Sequence, residues 1–145
     1  MRITSEDRST VLEIVLNDPD YPIDYSSCTF RVVVNDEVNP FSGQNDDVCF
    51  SAFDHFLKRL EEFTKTREGV AVLEMTEDSR LEFFRWNLKG DVGVRARITK
   101  FGTIGSARLR KTSLEVEFKV DGESVNQIHE DFAKWGYPRP KLKLK

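Results

Sequence analysis

The side chains able to do acid, base or nucleophile chemistry are few and scattered. His55 follows Asp54, and His129 precedes Glu130 and Asp131. A metal centre or a general base would need the fold to bring these groups together with further ligands or with a substrate proton. Neither histidine sits in a ligand spacing such as H-E-x-x-H. Both fall on or near polar faces of expected helices and read as surface histidines. Cys49 has no neighbouring base and lies beside Phe50, the setting of an inert thiol. Cys28, near Phe30, reads the same way, and two cysteines are too few for a disulfide framework. The glycine pairs Gly90/Gly93 and Gly102/Gly105 lack the lysine, the Ser/Thr and the strand-to-helix setting of a phosphate loop, so they read as turn and strand glycines. The acid pairs Glu61-Glu62 and Asp46-Asp47 read as a solvated helix face and a helix N-cap. No catalytic residue, cofactor site or metal site is expected, and the chain does not read as an enzyme.

The elements that would position these groups follow from hydrophobic periodicity. Residues 10–16 and 28–34 are rich in β-branched side chains and predict strands. Between them, residues 17–27 hold two prolines and three aspartates, which predicts a loop. A second acidic loop is expected over residues 35–47. From Cys49 to about Lys65, Phe50, Phe53, Phe56, Leu57, Leu60 and Phe63 recur at helical spacing, with Asp46, Asp47 and Ser51 as competing N-caps and Gly69 as the stop.

Strands are predicted over residues 70–75, 81–88, 91–98 and 114–120, with links short enough to imply antiparallel neighbours. A hairpin centred near Gly105 would set Arg95 opposite Glu115, and the arginines of the third of these strands would pair with Glu115 and Glu117. Ser124 and Gln127 form a capping-box pattern for a last helix with the stripe Val125, Ile128, Phe132 and Trp135, stopped by Gly136 and Pro138. The order β-β-α-β-β-β-β-α predicts an α+β domain over residues 1–138: a mostly antiparallel twisted sheet of about six strands, with two helices on one face.

Charge narrows the partner. The net charge is −3, but the tail from Arg139 to Lys145 holds four of the 22 basic residues and no acid, which leaves −7 for the rest. An acidic body disfavours nucleic acid and favours a basic protein surface. The tail reads as a flexible end. No run of about 18 apolar residues is present and the N-terminus is polar, so a cytoplasmic protein with neither membrane nor nucleic acid as partner is expected. Candidate partner-binding residues are Asp18, Asp20, Tyr21, Asp24 and Tyr25 in the first acidic loop, joined by Asp36, Glu37, Asp46 and Asp47 if these share one end of the sheet. A further face around Phe83, Arg85 and Trp86 would need cover. As an alternative, Phe83, Trp86 and Val94 could line an apolar ligand pocket.

A resemblance adds to this reading. Phe41-x-Gly43, then Phe53-x-x-Phe56-Leu-x-x-Leu60, Gly69-x-Ala71-x-Leu73, Leu81-x-Phe83 and Asp91-x-Gly93-x-Val-x-Ala-x-Ile98 resemble the WapI-like family of bacterial immunity proteins over roughly residues 28–132. The resemblance implies a protein that binds and neutralises a toxin domain and carries no catalytic residue; the acidic body would suit a basic one.

Overall fold

The computed structural model describes residues 1–136, the side chain of Tyr25 excepted. Within them run β1 (Arg2–Thr4), β2 (Thr10–Leu16), the 3-10 turn η1 (Ile23–Tyr25), β3 (Ser27–Val34), β4 (Phe41–Ser51), α1 (Phe53–Thr66), β5 (Ala71–Met75), β6 (Arg80–Arg85), β7 (Val92–Ile104), β8 (Ala107–Val120) and α2 (Ser124–Gly136). Each strand pairs antiparallel with its neighbour in sequence, giving one open eight-stranded sheet in chain order. The α+β class and the antiparallel sheet are those expected; the strand count is eight instead of six. The basic tail and Pro138 lie outside the described residues.

The two additional strands are the short β1 and, more consequentially, β4. The segment expected to be acidic loop and helix start is the strand that joins the two halves of the sheet. Phe41 to Cys49 pair with β3, whereas Phe50 and Ser51 pair with Met75 and Glu74 of β5. Its first half shows no alternation of apolar residues because a polar residue, Asn45, points inward. Buried, Asn45 is satisfied there: its amide donates to the Thr99 carbonyl at 2.9 Å and to Glu77 at 2.6 Å. The register then slips, with Cys28 opposite Val48 but Phe30 opposite Asn45, so Asp46 and Asp47 form a bulge facing Thr29.

The sheet curls far enough that the β1–β2 turn reaches the last strand, the Glu6 N–H donating to the Lys119 carbonyl at 2.8 Å. Gly43 also lies against Leu114: a Cβ there would stand 2.7 Å from Cδ2 of that leucine.

Helix α1 begins four residues later than its apolar pattern predicts. Cys49 and Phe50 belong to β4, and Ala52 turns the chain in a left-handed conformation (φ 53°) with no side-chain cap of its own. Neither Asp46, Asp47 nor Ser51 is the N-cap. The helix also stops before Gly69, at Arg67 (φ 57°), whose N–H bonds the Phe63 carbonyl at 2.9 Å.

Helix α2 has the expected stripe, but no capping box forms. Its Ser124 hydroxyl donates to the Asp121 carbonyl at 2.6 Å, and the Gln127 amide donates to Asp131 at 3.0 Å. Gly136 serves close approach of the helices, since a Cβ there would meet Leu57 Cδ2 at 2.6 Å.

Between the helices and the concave face of the sheet lies an aromatic cluster. Phe132 of α2 meets Phe56 of α1 edge-on at 5.1 Å and Phe83 of β6 edge-on at 6.3 Å, while Trp135 packs on Phe132 at 5.7 Å. Such pairs add about 0.5–1.5 kcal/mol each beyond burial, because ring edges carry positive and ring faces negative potential. Phe132→Ala is expected to destabilise the protein by roughly 3–5 kcal/mol in urea titration, as the cavity touches three elements at once. Gly93→Ala is expected to cost about 1–3 kcal/mol, since its Cβ would meet Phe84 at 2.5 Å and Trp86 at 2.8 Å.

Candidate functional site

The first acidic loop and the β4 bulge form one frame. Asn17, at the end of β2, donates its amide to the Asp46 carbonyl at 2.8 Å and to the Ser27 hydroxyl at 2.9 Å, and its Oδ1 accepts from Thr29 at 3.0 Å. Ser27 in turn donates to the Asp47 carboxylate at 2.8 Å. Gln44 donates to the Asp46 carboxylate. The loop is closed on itself by Ser26, buried, whose hydroxyl lies within hydrogen-bond distance of the Asp18, Tyr21 and Pro22 carbonyls.

Asp18 follows Asn17 directly, so the loop that carries Asp18, Asp20 and Tyr21, the last 57% exposed, starts at the residue bonded to the bulge. Asp24 has a different role. Its carboxylate accepts from the Phe53 N–H at 3.0 Å, so it supplies from a distant loop the cap that α1 lacks. The Tyr25 side chain lies outside what the structure describes.

Asp36 and Glu37 do not share that end. They occupy the hairpin between β3 and β4, beyond the pair Val34 and Phe41, while the bulge lies toward the opposite end of the same two strands. Asp36 shapes its own turn by accepting from the Val38 N–H at 2.8 Å and the Asn39 N–H at 3.2 Å. Tyr25 aside, the candidates therefore separate into a loop tied to a bulge (Asp18, Asp20 and Tyr21 with Asp46 and Asp47), a helix cap and a remote hairpin.

The face around β6 also differs from expectation. Phe83 and Val94 are buried in the core, whereas Trp86 projects on the other side, so these three residues do not line one pocket. On the outer face Phe84 packs against Trp86 at 6.1 Å and lies under the Arg95 guanidinium at 4.6 Å. Arg95 bonds Glu82 at 2.7 Å and Glu117 at 2.9 Å, and Arg97 bonds Asp78 at 2.7 Å. The expected pairing of Arg95 with Glu115 is two residues off, because the turn is centred between Gly105 and Ser106 and a bulge at Gly102/Thr103 adds one more residue. Arg97 stands opposite Glu115 in register but takes Asp78 as its partner. Trp86 forms one wall of a shallow cleft of about 450 Å3, otherwise lined mainly by polar residues of the β1–β2 turn and β8.

The histidines stay on separate helices, His55 exposed on α1 and His129 half-buried on α2. Among the described residues, no group of three or more His, Cys, Asp and Glu side chains is placed to hold a metal ion. Both cysteines are free, and burial pushes the Cys28 thiol up to about 12, with Cys49 and Asp47 adding to the rise. Cys49 is raised too, by desolvation and then by Asp47. It lies on a strand, its N–H donating to the Thr76 hydroxyl at 2.9 Å.

Asp7, in the β1–β2 turn, accepts from the Ser5 hydroxyl at 2.6 Å and from the Ser9 N–H at 3.0 Å and hydroxyl at 2.7 Å, which hold its carboxyl at about 2. Asp78 is lowered chiefly by Lys111, and Asp91 chiefly by the Asn87 amide.

Compared with known proteins, the chain matches no family model, no curated protein and no solved structure.

Two outcomes follow from the geometry. Asp24→Ala is expected to lower stability by about 0.5–2 kcal/mol in thermal denaturation, as for a lost helix cap, whereas Asp20→Ala leaves it unchanged. Asp7, Asp78 and Asp91 titrate lower in the folded chain than the unfolded value of about 3.9, so their contribution is present above about pH 4 and is lost as pH falls toward 2. Urea midpoints measured across that window should fall with pH, and less steeply in Asp7→Asn.

Proposed function

We propose that the protein is a non-enzymatic binding protein of the immunity type, which neutralises a cognate bacterial toxin by occluding a basic surface on it. The observation that carries this reading is the tie between two acidic segments: the loop that bears Asp18, Asp20 and the exposed Tyr21 is bonded through Asn17 and Ser27 to the bulge that bears Asp46 and Asp47. The Asp46 and Asp47 carboxylates are held before any partner arrives, by Gln44 and Ser27, and Asn17 ties the loop backbone to the bulge. Pre-organisation reduces the ordering that binding would otherwise require. Fixed negative charge steers a basic partner and repels acidic ones. An aromatic side chain among charges is the composition that interfaces concentrate at their anchor points. The resemblance of residues 28–132 to the WapI-like immunity proteins supports the same reading. A cytoplasmic site of action accords with it.

Co-expression with a toxin domain encoded immediately upstream tests the proposal. The pair is expected to co-purify, and Asp20→Lys with Asp46→Lys should weaken binding at least about tenfold by calorimetry, the loss of favourable charge contacts at an interface. Glu37→Lys, in the remote hairpin, should leave binding unchanged. Failure to co-purify, or equal losses from both sets of changes, would overturn the assignment of this patch.

A further inference from the structure

Strands β7 and β8 run on past the core as a two-stranded arm whose composition is opposite to that of the body. From Thr99 to Ser113 there are four basic residues, Lys100, Arg108, Arg110 and Lys111, and no acidic one. The arm ends in two exposed aliphatic side chains, Ile104 at 72% and Leu109 at 63%, on either side of the turn at Gly105. A Cβ added at Gly105 would meet nothing within 4 Å.

The register distributes the charge over both faces. Lys100 and Arg110 share the face that continues the core side, while Lys111 and Arg108 share the other with Phe101 and Thr103. Lys111 is paired with Asp78 at 2.8 Å, and the Arg108 guanidinium stacks on Phe101 at 3.9 Å. Lys100, Arg108 and Arg110 make no ion pair among the described residues. From the buried Ile98 to Ile104 the strand advances about 20 Å at roughly 3.3 Å per residue. That exceeds twice the screening length of about 8 Å at physiological salt, so charges at the level of Ile98 are screened from the tip, while Asp78 reaches the arm at Lys111.

We propose that the β7–β8 arm docks end-on to an anionic lipid surface, Ile104 and Leu109 entering the headgroup boundary and Lys100, Arg108 and Arg110 meeting the lipid phosphates. The pattern of an apolar tip with a basic collar on both faces favours this occupant. A lipid leaflet accepts aliphatic side chains without a matching pocket and surrounds an inserted ribbon with negative charge. Nucleic acid would engage the cations but leave the two aliphatic residues in water. This is surface docking: none of the described helices is long and apolar enough to cross a membrane. It is independent of the toxin-binding reading, which uses a different part of the molecule.

Co-sedimentation of the full chain with vesicles tests it, comparing phosphatidylcholine alone with an equimolar mixture of phosphatidylcholine and phosphatidylglycerol. Binding to the mixed vesicles and not to the neutral ones is expected, and it should fall as salt is raised. Lys100→Glu with Arg110→Glu should reduce binding at least about tenfold, since each basic residue near such a surface contributes severalfold. Ile104→Ser with Leu109→Ser should also weaken it, with an unchanged melting temperature because neither side chain is buried. Equal binding to both vesicle types would overturn the proposal. So would full binding by the Ile104/Leu109 variant, or capture of the protein from mixed vesicles by a competing DNA duplex.

Discussion

Strand β4 is the constraint on which the rest depends. One strand must satisfy β3 along most of its length and β5 at its last two residues, and it can do both only by bending. The bulge at Asp46 and Asp47 supplies that bend, since inserting a residue on one side of a ladder increases local twist. Once β4 bends, the strands on either side of it turn toward each other and enclose a space that the helices fill. Asn45 holds the bend from within by reaching across to the Thr99 carbonyl of β7. A buried amide of this kind is tolerated because its donors are both used. The position of α1 follows from the same strand, which delivers the chain into the helix through the single left-handed residue Ala52. Two of the acidic candidates, Asp46 and Asp47, are thus the residues at which the sheet bends.

Charge is segregated by the sheet instead of being spread over it. The outer face of β6, β7 and β8 is a ladder in which Glu82 lies between Arg80 and Arg95, and Arg95 in turn holds Glu117. These groups largely cancel one another and leave little net field. The unneutralised charge lies elsewhere, negative at the β2–β3 loop and positive on the β7–β8 arm. A single net charge of −3 conceals both. Cross-strand pairs of this type contribute modestly where they are exposed, and their main effect is to fix register. The arm depends on that register, because the bulge at Gly102/Thr103 decides which of its residues share a face.

Much of the fold was legible in the sequence, and the failures have physical causes. The helix α1 pattern was correct in its buried face, Phe53, Phe56, Leu60 and Phe63, but Phe50 satisfied the same periodicity by coincidence while belonging to a strand. Strand β4 was missed because Asn45 and Gly43 occupy positions where an apolar residue would have announced it. The long arm of β7 and β8 was missed because its inward positions, beyond the core, are no longer apolar. Of the candidate interaction residues, Asp24 proved to be a helix cap and Asp36 a turn former, while the loop of Asp18, Asp20 and Tyr21 is tied through Asn17 to the bulge of Asp46 and Asp47. A carboxylate capping a helix 29 residues away has no local signature.

The sequence by itself determined the class of fold, the buried stripe of each helix and the alternation of the strands that face the core. It could do so because burial imposes periods of 3.6 and 2 that are written in local order. Only the tertiary structure decided which acidic segments are tied together, which arginine meets which acid, and that the basic residues of β7 and β8 gather on one arm. Those outcomes depend on pairing register and on one bend in one strand, and a single-residue shift in either exchanges partners without altering composition.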